Sequence, residues 1–364
     1  MTKLVERWVR EDIRALSAYH VANPTGLIKL DAMENPYQWP DSVKQDWLKV
    51  LENCEINRYP DPSGQDVKNA LRACFNIDEP YDILLGNGSD EIIQCLAMAM
   101  ATPGNKIMAP EPSFVMYKMI ATFVGMDYLG VPLSKDFQLD MPAMLAAINQ
   151  HQPAIIFLAQ PNNPTGNCYT EADVRTILDN SEGLVVIDEA YMAFTDCDSL
   201  PLLSEYENLV VMRTLSKIGL AGLRLGFLVG SPDWITEFNK IRMPYNVNVL
   251  TQASVGFALK NYDVMKRQTE AIKKERNMLM QRLEGIGLAR IWPSEANFIL
   301  VRTPQDSAKT IFASMQEQGV LVKCLHGAHP LLKDCLRLTV GAPKENEAMF
   351  LALQKSLQSV TRNR

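Results

Sequence analysis

Three short apolar segments, each followed directly by polar residues, most constrain how this chain can fold. They are residues 154–158, 184–187 and 209–212. The first is followed by an amide-bearing turn, the second by a carboxylate and a phenol, and the third by two hydroxyls and then a lysine. Short apolar runs of this kind are typical of buried strands. Because the carboxyl ends of parallel strands meet at one edge of a sheet, where ligands bind, we expect these groups to converge on a ligand.

The alternation of predicted strands and helices from Tyr81 onward indicates an α/β fold with a mostly parallel sheet. At 364 residues the chain is too long for one ordinary core, which favours two domains. A long helical pattern over residues 251–283, with a possible break near Asn261, suits a connector into a second, smaller domain. The strands predicted for that domain are residues 298–301, 320–322 and 335–340.

Composition excludes several other classes of protein. An apolar fraction of 47% with 21% charged residues is that of a globular protein, and no apolar run reaches the roughly 18 residues that span a bilayer. With a net charge of −6, the chain lacks the excess of basic residues that is typical of nucleic-acid-binding proteins. The charged first residues lack the apolar core of a signal peptide, so we expect a cytoplasmic protein.

Cysteine and histidine spacing gives no indication of a metal site. The seven cysteines are scattered without a C-x-x-C pair, so free thiols are expected rather than a zinc ribbon or a disulfide framework. His326 and His329 form the only close histidine pair, and the surrounding Gly327 and Pro330 predict a loop. We therefore expect no metal.

The stretch from Thr214 to Gly226 points to a covalently held, phosphorylated cofactor. Lys217 comes directly after the hydroxyl residues Thr214 and Ser216 and is followed by Arg224 in a glycine-rich turn (Gly219, Gly222, Gly226). An amine condenses with an aldehyde to a Schiff base, and hydroxyls with a guanidinium bind a phosphate dianion. Glycines at such a turn allow tight turning or close approach. The alternative is a surface lysine before a glycine-rich loop.

A second glycine-rich turn, residues 86–91, opens a predicted helix and could also bind phosphate. Backbone N–H groups and the positive end of the helix dipole favour an anion there. The turn lacks the third glycine of a dinucleotide fingerprint and the Gly-Lys-Ser/Thr of a P-loop. A tight turn without a ligand remains the alternative. Phe114, just past the next strand, could stack on a planar ring or belong to the core.

Three further polar residues stand where a ligand could meet them. Pro161 and Pro164 fix a rigid turn that displays Asn163. Asp188 ends a strand, where the alternative is a carboxylate satisfied within the structure. Arg337 alternates with apolar neighbours, and a charge in such a strand needs a partner, either a structural carboxylate or a ligand carboxylate.

In order and approximate spacing, these motifs resemble those of the fold type I pyridoxal 5′-phosphate aminotransferases over nearly the whole chain. Within that family the chain most resembles the branch that transaminates L-histidinol phosphate with 2-oxoglutarate. The resemblance implies a large domain with a mostly parallel seven-stranded sheet and a smaller α+β domain. The implied division is an N-terminal arm at 1–30, a small domain at 31–50 and 256–364, and a large cofactor-binding domain at 51–255. The stretches that carry the resemblance are residues 30–36, 57–60, 86–91, 161–166, 188–191, 214–217 and 336–341.

The resemblance also implies roles at the cofactor ring. Lys217 would carry the Schiff base and move the proton between the substrate Cα and the cofactor. Asp188 would pair with the protonated pyridine nitrogen, and Asn163 and Tyr191 would hydrogen-bond the 3-oxygen of the ring. Phe114 would stack on the ring.

The cofactor phosphate and the second subunit follow from the same resemblance. Tyr59 would reach the phosphate of the neighbouring subunit's cofactor, which implies a homodimer with shared active sites. The other implied phosphate ligands are the backbone at Gly88, Ser89 and Asp90 together with Thr214, Ser216 and Arg224.

Substrate contacts are implied for Arg337, Tyr19, Asn35, Tyr59 and Lys323. Arg337 would clamp the α-carboxylate of glutamate and help to bind the phosphate of histidinol phosphate. Tyr19 falls where the N-terminal arm of the family covers the substrate. The family often has an arginine where Lys323 stands, which would make this contact a point charge rather than a bidentate fork.

Three other functions are compatible with the same motifs. An aromatic amino acid aminotransferase would keep the cofactor and Lys217 but change the amino donor. A decarboxylase of threonine phosphate would break a different bond and release carbon dioxide. A cofactor-binding regulatory domain ranks last, because the sequence has no basic helix-turn-helix extension.

Overall fold

The fold is described from a computed structural model, which places residues 3–18 and 21–362. Its main element is a seven-stranded sheet with helices on both faces. The segments up to the long connector are α1 Lys3–Trp8, α2 Glu11–Ala15, β1 Ile28–Lys29, α3 Asp41–Glu52, α4 Gln65–Phe75, β2 Asp82–Gly86, α5 Ser89–Met100, β3 Lys106–Glu111, α6 Met116–Val124, β4 Asp127–Pro132, α7 Met141–His151, β5 Ile155–Ala159, α8 Glu171–Asn180, β6 Leu184–Asp188, β7 Leu209–Thr214, β8 Gly226–Gly230, α9 Pro232–Asn239 and α10 Val249–Lys260.

The sheet is mostly parallel, which confirms the predicted fold class. Its strand order is β2-β8-β7-β6-β5-β3-β4. β8 runs antiparallel to both of its neighbours, whereas β7, β6, β5, β3 and β4 run parallel to one another. β5, β6 and β7 therefore end side by side, as the sequence predicted.

Every residue of β5, β6 and β7 is buried, because helices cover both faces of the sheet. Successive side chains alternate between two cores. Val186 and Val210 pack with Ile93 of α5 on one face. Val185 and Val211 pack on the other face with residues of α4, α7, α8 and α10. Continuous Val and Ile runs are therefore what these strands require.

The rest of the chain builds a second sheet of four antiparallel strands in the order β12-β13-β10-β9. A separate parallel pair joins β1 to β11. The segments are α11 Tyr262–Leu283, β9 Arg290–Ile291, β10 Phe298–Arg302, α12 Ala308–Glu317, β11 Val320–Leu321, β12 Lys323–Cys324, β13 Cys335–Thr339 and α13 Pro343–Arg362.

Local predictions are confirmed in most places and wrong in one. α10 ends at Lys260 and α11 begins at Tyr262, so the expected break near Asn261 is present. Asp140 caps α7 by accepting a hydrogen bond from the Ala143 N–H at 3.1 Å. The single strand predicted for residues 320–322 is instead two short strands, β11 and β12, because this segment passes from one sheet to another at Val322.

Among the residues that the structure places, no helix combines the length and the apolar composition needed to cross a membrane.

A buried ion pair joins the ends of β6 and β7 behind the sheet edge. Nε of Arg213 donates to Oε2 of Glu189 at 2.8 Å, and the two side chains are almost fully buried. Glu189 also accepts the N–H of Ser199 at 2.7 Å. Burial raises the pKa of Glu189, and the positive charge of Arg213 opposes that shift. The pair therefore fixes the residue next to Asp188 in sequence.

Replacing Arg213 by Met should lower the free energy of unfolding by about 3–5 kcal/mol, because Glu189 would remain buried without its cation. Urea denaturation followed by circular dichroism measures this. The double variant Arg213→Met, Glu189→Leu should recover most of the loss. A single variant within about 1 kcal/mol of the parent protein would contradict the importance of the pair.

Candidate active site

The ends of β5, β6 and β7 open onto a cavity of about 570 Å³, counting its open mouth. This confirms that the polar residues after the three strands converge. The lining residues that the sequence singled out are Ser89, Asp90, Phe114, Asn163, Asp188, Tyr191, Thr214, Ser216, Lys217 and Arg224. The cavity is therefore lined mainly by the predicted residues, and Phe114 lies on its wall while it also packs against one of the hydrophobic cores.

Lys217 lies in an irregular turn, Ser216–Leu220, directly after β7. Its Nζ donates to the carbonyl oxygen of Ala32 at 3.2 Å. Burial lowers the pKa of Lys217 to about 8, and the positive charge of Arg337 adds to this effect. A lysine with this pKa has a substantial neutral fraction near neutral pH, as a nucleophilic amine requires.

Asp188 ends β6 and is buried at the base of the cavity. Burial raises the pKa of Asp188 to about 6. Two hydrogen bonds oppose that shift, one from the hydroxyl of Tyr117 to Oδ2 at 2.5 Å and one from the N–H of Ala190 to Oδ1 at 3.1 Å. The carboxylate is therefore oriented by donors on both of its oxygens.

Tyr117 is the contact that sequence reasoning missed. It is fully buried in α6, stacks on Phe157 with ring centroids 4.4 Å apart, and meets Phe114 edge-on at 5.6 Å. Tyr117 follows Phe114 by three residues, which is the spacing of side chains on one helical face. That spacing could have linked the two rings, but their position beside Asp188 depends on packing between α6 and β6.

Asn163 connects the cavity to the antiparallel sheet. Its Nδ2 donates to the hydroxyl of Tyr191 at 3.2 Å, and its Oδ1 accepts from Nη1 of Arg337 at 2.6 Å. Nη2 of Arg337 donates to the carbonyl oxygen of Asp31 at 2.7 Å. Arg337 thus donates to an amide oxygen and a carbonyl oxygen, and its guanidinium lies next to the residues at the strand ends.

The other end of the cavity is lined by hydroxyls, a guanidinium and the first turn of α5. Oγ1 of Thr214 lies 3.0 Å from Oγ of Ser216, and Nη1 of Arg224 donates to that same Oγ at 3.4 Å. Ser89 and Asp90, the first residues of α5, line the same end. These groups form an anion-binding cradle, since hydroxyls, guanidinium and helix N–H groups all donate to phosphate oxygens.

Two glycines are required by the close packing around this cradle. Gly88 has φ +85°, and a Cβ there would lie 2.6 Å from Nη2 of Arg224. A Cβ on Gly226 would lie 2.6 Å from the backbone nitrogen of Ser89. Gly222, in contrast, has open space around it and no left-handed φ; it lies in a tight turn, Ala221–Leu223, so the expected turn is present and the close approach is not.

Besides Arg337, three predicted substrate contacts lie outside the cavity wall. Tyr59 is largely exposed and stacks on Tyr245 with ring centroids 4.4 Å apart. Asn35 uses its Nδ2 to bind the carbonyl oxygen of Ile218 at 3.0 Å. Lys323 stands opposite Arg337 in the pairing of β12 with β13, so the two cationic residues share a sheet face. Tyr19 lies outside the described residues.

The shape and donors of this cavity fit a flat, phosphorylated pyridine. The aromatic ring of Phe114 offers a stacking surface, Asp188 offers an anion for a ring nitrogen, and the cradle offers donors for a phosphate. The nearby Lys217 amine completes the set. Pyridoxal 5′-phosphate has a group to match each of these four features: a flat ring, a ring nitrogen, a phosphate and an aldehyde.

Comparison with known proteins agrees with this chemistry. The family model for class I and II aminotransferases matches residues 25–353. A histidinol-phosphate aminotransferase of Chromobacterium violaceum is 51% identical over 355 residues, covering 98% of this chain and 99% of that protein.

Two solved structures share the fold. A histidinol-phosphate aminotransferase of Sinorhizobium meliloti, in complex with pyridoxal 5′-phosphate, superposes with a TM-score of 0.86 at 24% identity, covering 97% of this chain and 98% of that one. An L-threonine-O-3-phosphate decarboxylase of Porphyromonas gingivalis has a TM-score of 0.76 at 21% identity, covering 90% and 99%. The fold alone therefore does not separate transamination from decarboxylation.

Replacing Tyr117 by Phe should raise the pKa of Asp188 above about 6, because the variant loses a hydrogen bond that lowers it. If Asp188 binds as an anion, affinity for pyridoxal 5′-phosphate should fall about 2- to 15-fold at neutral pH, because losing a hydrogen bond worth roughly 1.5–3 kcal/mol raises the pKa by about one to two pH units and leaves less of Asp188 ionised. The acid limb of the affinity profile should move to higher pH. Fluorescence titration of the apoprotein between pH 5 and 8 measures both effects.

The matched control is Tyr128→Phe, which removes a partly buried phenol whose hydrogen-bond partner is Glu111 rather than Asp188. Its affinity profile should superpose on that of the parent protein. An unchanged profile in the Tyr117 variant would show that this hydroxyl does not act on Asp188.

Proposed function

The chain belongs to the class I and II aminotransferase family, and on that basis we propose that it transfers the amino group of L-histidinol phosphate to 2-oxoglutarate. The products are 3-(imidazol-4-yl)-2-oxopropyl phosphate and L-glutamate, a step of histidine biosynthesis. The observation that carries the proposal is one cavity with Lys217 and Asp188 near an anion-binding cradle. The roughly 50% identity to proteins named for this reaction supports the choice of substrate.

The cofactor is pyridoxal 5′-phosphate, held by the groups described above. When bound, it supplies the aldehyde that accepts the amino group and a ring that withdraws electrons from the substrate. Asp188 holds a proton on the ring nitrogen, and its own negative charge is stabilised by Tyr117 and Ala190. Asn163 and Tyr191 lie where they can donate to a ring oxygen. The cradle around Ser216 and Arg224 holds the phosphate.

Lys217 has two tasks in this proposal. With the cofactor present, its Nζ would hold the cofactor aldehyde until a substrate amine takes its place. The freed amine at Nζ would then accept the proton of the substrate Cα. A pKa of about 8 allows Nζ to accept and release protons near neutral pH. The position of Nζ, 5.8 Å from the ring centroid of Tyr191, keeps it inside the cavity.

Arg337 is suited to bind both substrates, because each carries an anion. Its planar guanidinium can bind the α-carboxylate of glutamate in a bidentate geometry and can also donate to a phosphate. Lys323 adds a second positive charge on the same face of the sheet. On binding substrate, Arg337 would exchange some of its present contacts with Asn163 and Asp31 for the anion.

We further infer a homodimer that shares its active sites. Tyr59 is 80% exposed and stacks on the exposed Tyr245, and the nearby chain segments expose further apolar residues, Ile56, Met243 and Leu250. These two chain segments are joined, since Nη2 of Arg242 donates to the carbonyl oxygen of Pro62 at 2.9 Å. A patch of this kind suits a second copy of the chain, which would bring Tyr59 to the partner's cofactor. Tyr19, Asn35 and a cytoplasmic location stay predictions.

Attachment of pyridoxal 5′-phosphate to Lys217 should depend on pH in a way that differs from an ordinary lysine. Since only the neutral amine reacts, the rate should rise about tenfold per pH unit below pH 8 and level off above it. Borohydride trapping followed by peptide mass spectrometry measures the rate. A rate that keeps rising toward 10.5, the ordinary value, would contradict the lowered pKa.

The substrate is tested by a single half-reaction. The cofactor-loaded protein, mixed with L-histidinol phosphate and no keto acid, should release one equivalent of the keto phosphate per active site, and much faster than it converts phenylalanine. Lys217→Ala should slow this by at least about 10²–10⁴-fold. Faster turnover of aromatic amino acids, or carbon dioxide release from O-phospho-L-threonine, would replace the proposed function with one of the alternatives.

A further inference from the structure

Two thiols and a carboxylate converge outside the cavity, behind the loops that carry its polar residues. Cys168, Cys197 and Glu295 place their sulfur atoms and one carboxylate oxygen within 4.8 Å of one another. Cys168 follows the turn that displays Asn163. Cys197 follows Asp188 and Tyr191, and Glu295 precedes β10. We call this group the thiol cluster; neither the proposed reaction nor the cofactor uses it.

The convergence is fixed by hydrogen bonds rather than by chance proximity of long side chains. The N–H of Glu295 donates to the carbonyl oxygen of Gly166 at 2.6 Å. The hydroxyl of Thr195 donates to Oε2 of Glu295 at 2.6 Å, and the same hydroxyl oxygen accepts the N–H of Cys197 at 3.1 Å. Thr195 thus lies at the centre and holds the carboxylate and Cys197 together.

Both sulfur atoms face this centre. Sγ of Cys168 is 3.5 Å from Oγ1 of Thr195, and Sγ of Cys197 is 4.0 Å from Oε2 of Glu295. The two cysteines are partly buried and Glu295 is exposed, so a small ion can reach the cluster from solvent. Neither cysteine forms a disulfide in the structure.

We propose that Cys168, Cys197 and Glu295 form a binding site for a thiophilic divalent cation of the Zn²⁺ class. Two thiolates and a carboxylate are a ligand set that such a cation takes, with water or the Thr195 hydroxyl in the fourth tetrahedral position. Each thiol loses its proton to solvent as its sulfur binds the cation. No redox step is involved.

The required movement is small. With Zn–S near 2.3 Å and Zn–O near 2.0–2.2 Å, ligand atoms of a tetrahedral site lie about 3.5–3.8 Å apart. The present separations, all within 4.8 Å, reach that range by side-chain adjustments of roughly 1 Å.

A bound cation would connect three segments that end at the active site. These are the turn before Cys168, the segment from Asp188 to Cys197, and the residues leading into β10. The cation therefore acts as a structural clamp on the loops that hold Asn163 and Tyr191, and it takes no part in the reaction. Because it binds the folded chain, it should raise the unfolding temperature.

Cobalt provides the direct test, since tetrahedral Co²⁺ bound to thiolates absorbs visible light at wavelengths beyond the cofactor bands. The cofactor-loaded protein, kept reduced and titrated with Co²⁺, should develop these bands, and added Zn²⁺ should remove them. Cys168→Ser and Cys197→Ser should weaken binding by at least about 100-fold, given that even outer-shell changes at metal sites cost 10–100-fold. Cys54→Ser is the matched control, because Sγ of Cys54 bonds only within its own helix end, to the Val50 carbonyl oxygen.

A second measurement needs no variant. Zn²⁺ should protect Cys168 and Cys197 from iodoacetamide in the parent protein, and peptide mass spectrometry should show Cys54 alkylated to the same extent with and without the ion. The proposal is overturned if no thiolate–cobalt bands form, if the bands persist in both serine variants, or if Zn²⁺ leaves alkylation of the two cysteines unchanged.

Discussion

A carboxylate buried at the end of β6 is the constraint on which the rest of the site depends. Burial favours the neutral acid and raises the pKa of Asp188 to about 6, yet the proposed chemistry needs the anion. The fold meets this requirement with donors on both oxygens, from Tyr117 and Ala190. Tyr117 in turn is held by stacking on Phe157 of the neighbouring strand. A catalytic charge is thus maintained by packing within the sheet and its first covering helices.

The buried environment at this sheet edge shifts the pKa values of the two charged groups at the site in opposite directions. Burial makes Asp188 harder to ionise and Lys217 easier to deprotonate, because a low-dielectric environment disfavours both charges. Arg337 reinforces the effect on Lys217. One environment therefore brings an acid and an amine, whose ordinary pKa values are far apart, toward neutral pH. Proton transfer at that pH is what a transaminase requires.

The sequence predicted the site residues that lie next to a recognisable strand, but not the contacts between segments that are distant in sequence. Lys217, Asp188 and Asn163 could be predicted because each directly follows a recognisable buried strand, and parallel strands bring their ends together. Tyr117 could not, since its contact with Asp188 arises from packing of α6 against β6. The thiol cluster joins residues from three distant segments, so spacing gave no sign of it. At residues 320–324 the apolar pattern correctly predicted extended chain. Nothing in the sequence indicated that the chain passes from one sheet to the other at Val322.

The central claim is that the cavity binds pyridoxal 5′-phosphate in one orientation, with the ring nitrogen at Asp188 and the phosphate at the cradle. A crystal structure of the protein with the cofactor tests this most directly. The account predicts the ring nitrogen within about 3 Å of an Asp188 oxygen, the phosphate between Ser216, Arg224 and the start of α5, and continuous density from Lys217 Nζ to the cofactor. A phosphate bound beside Asp188, or a cofactor attached elsewhere, would contradict the account.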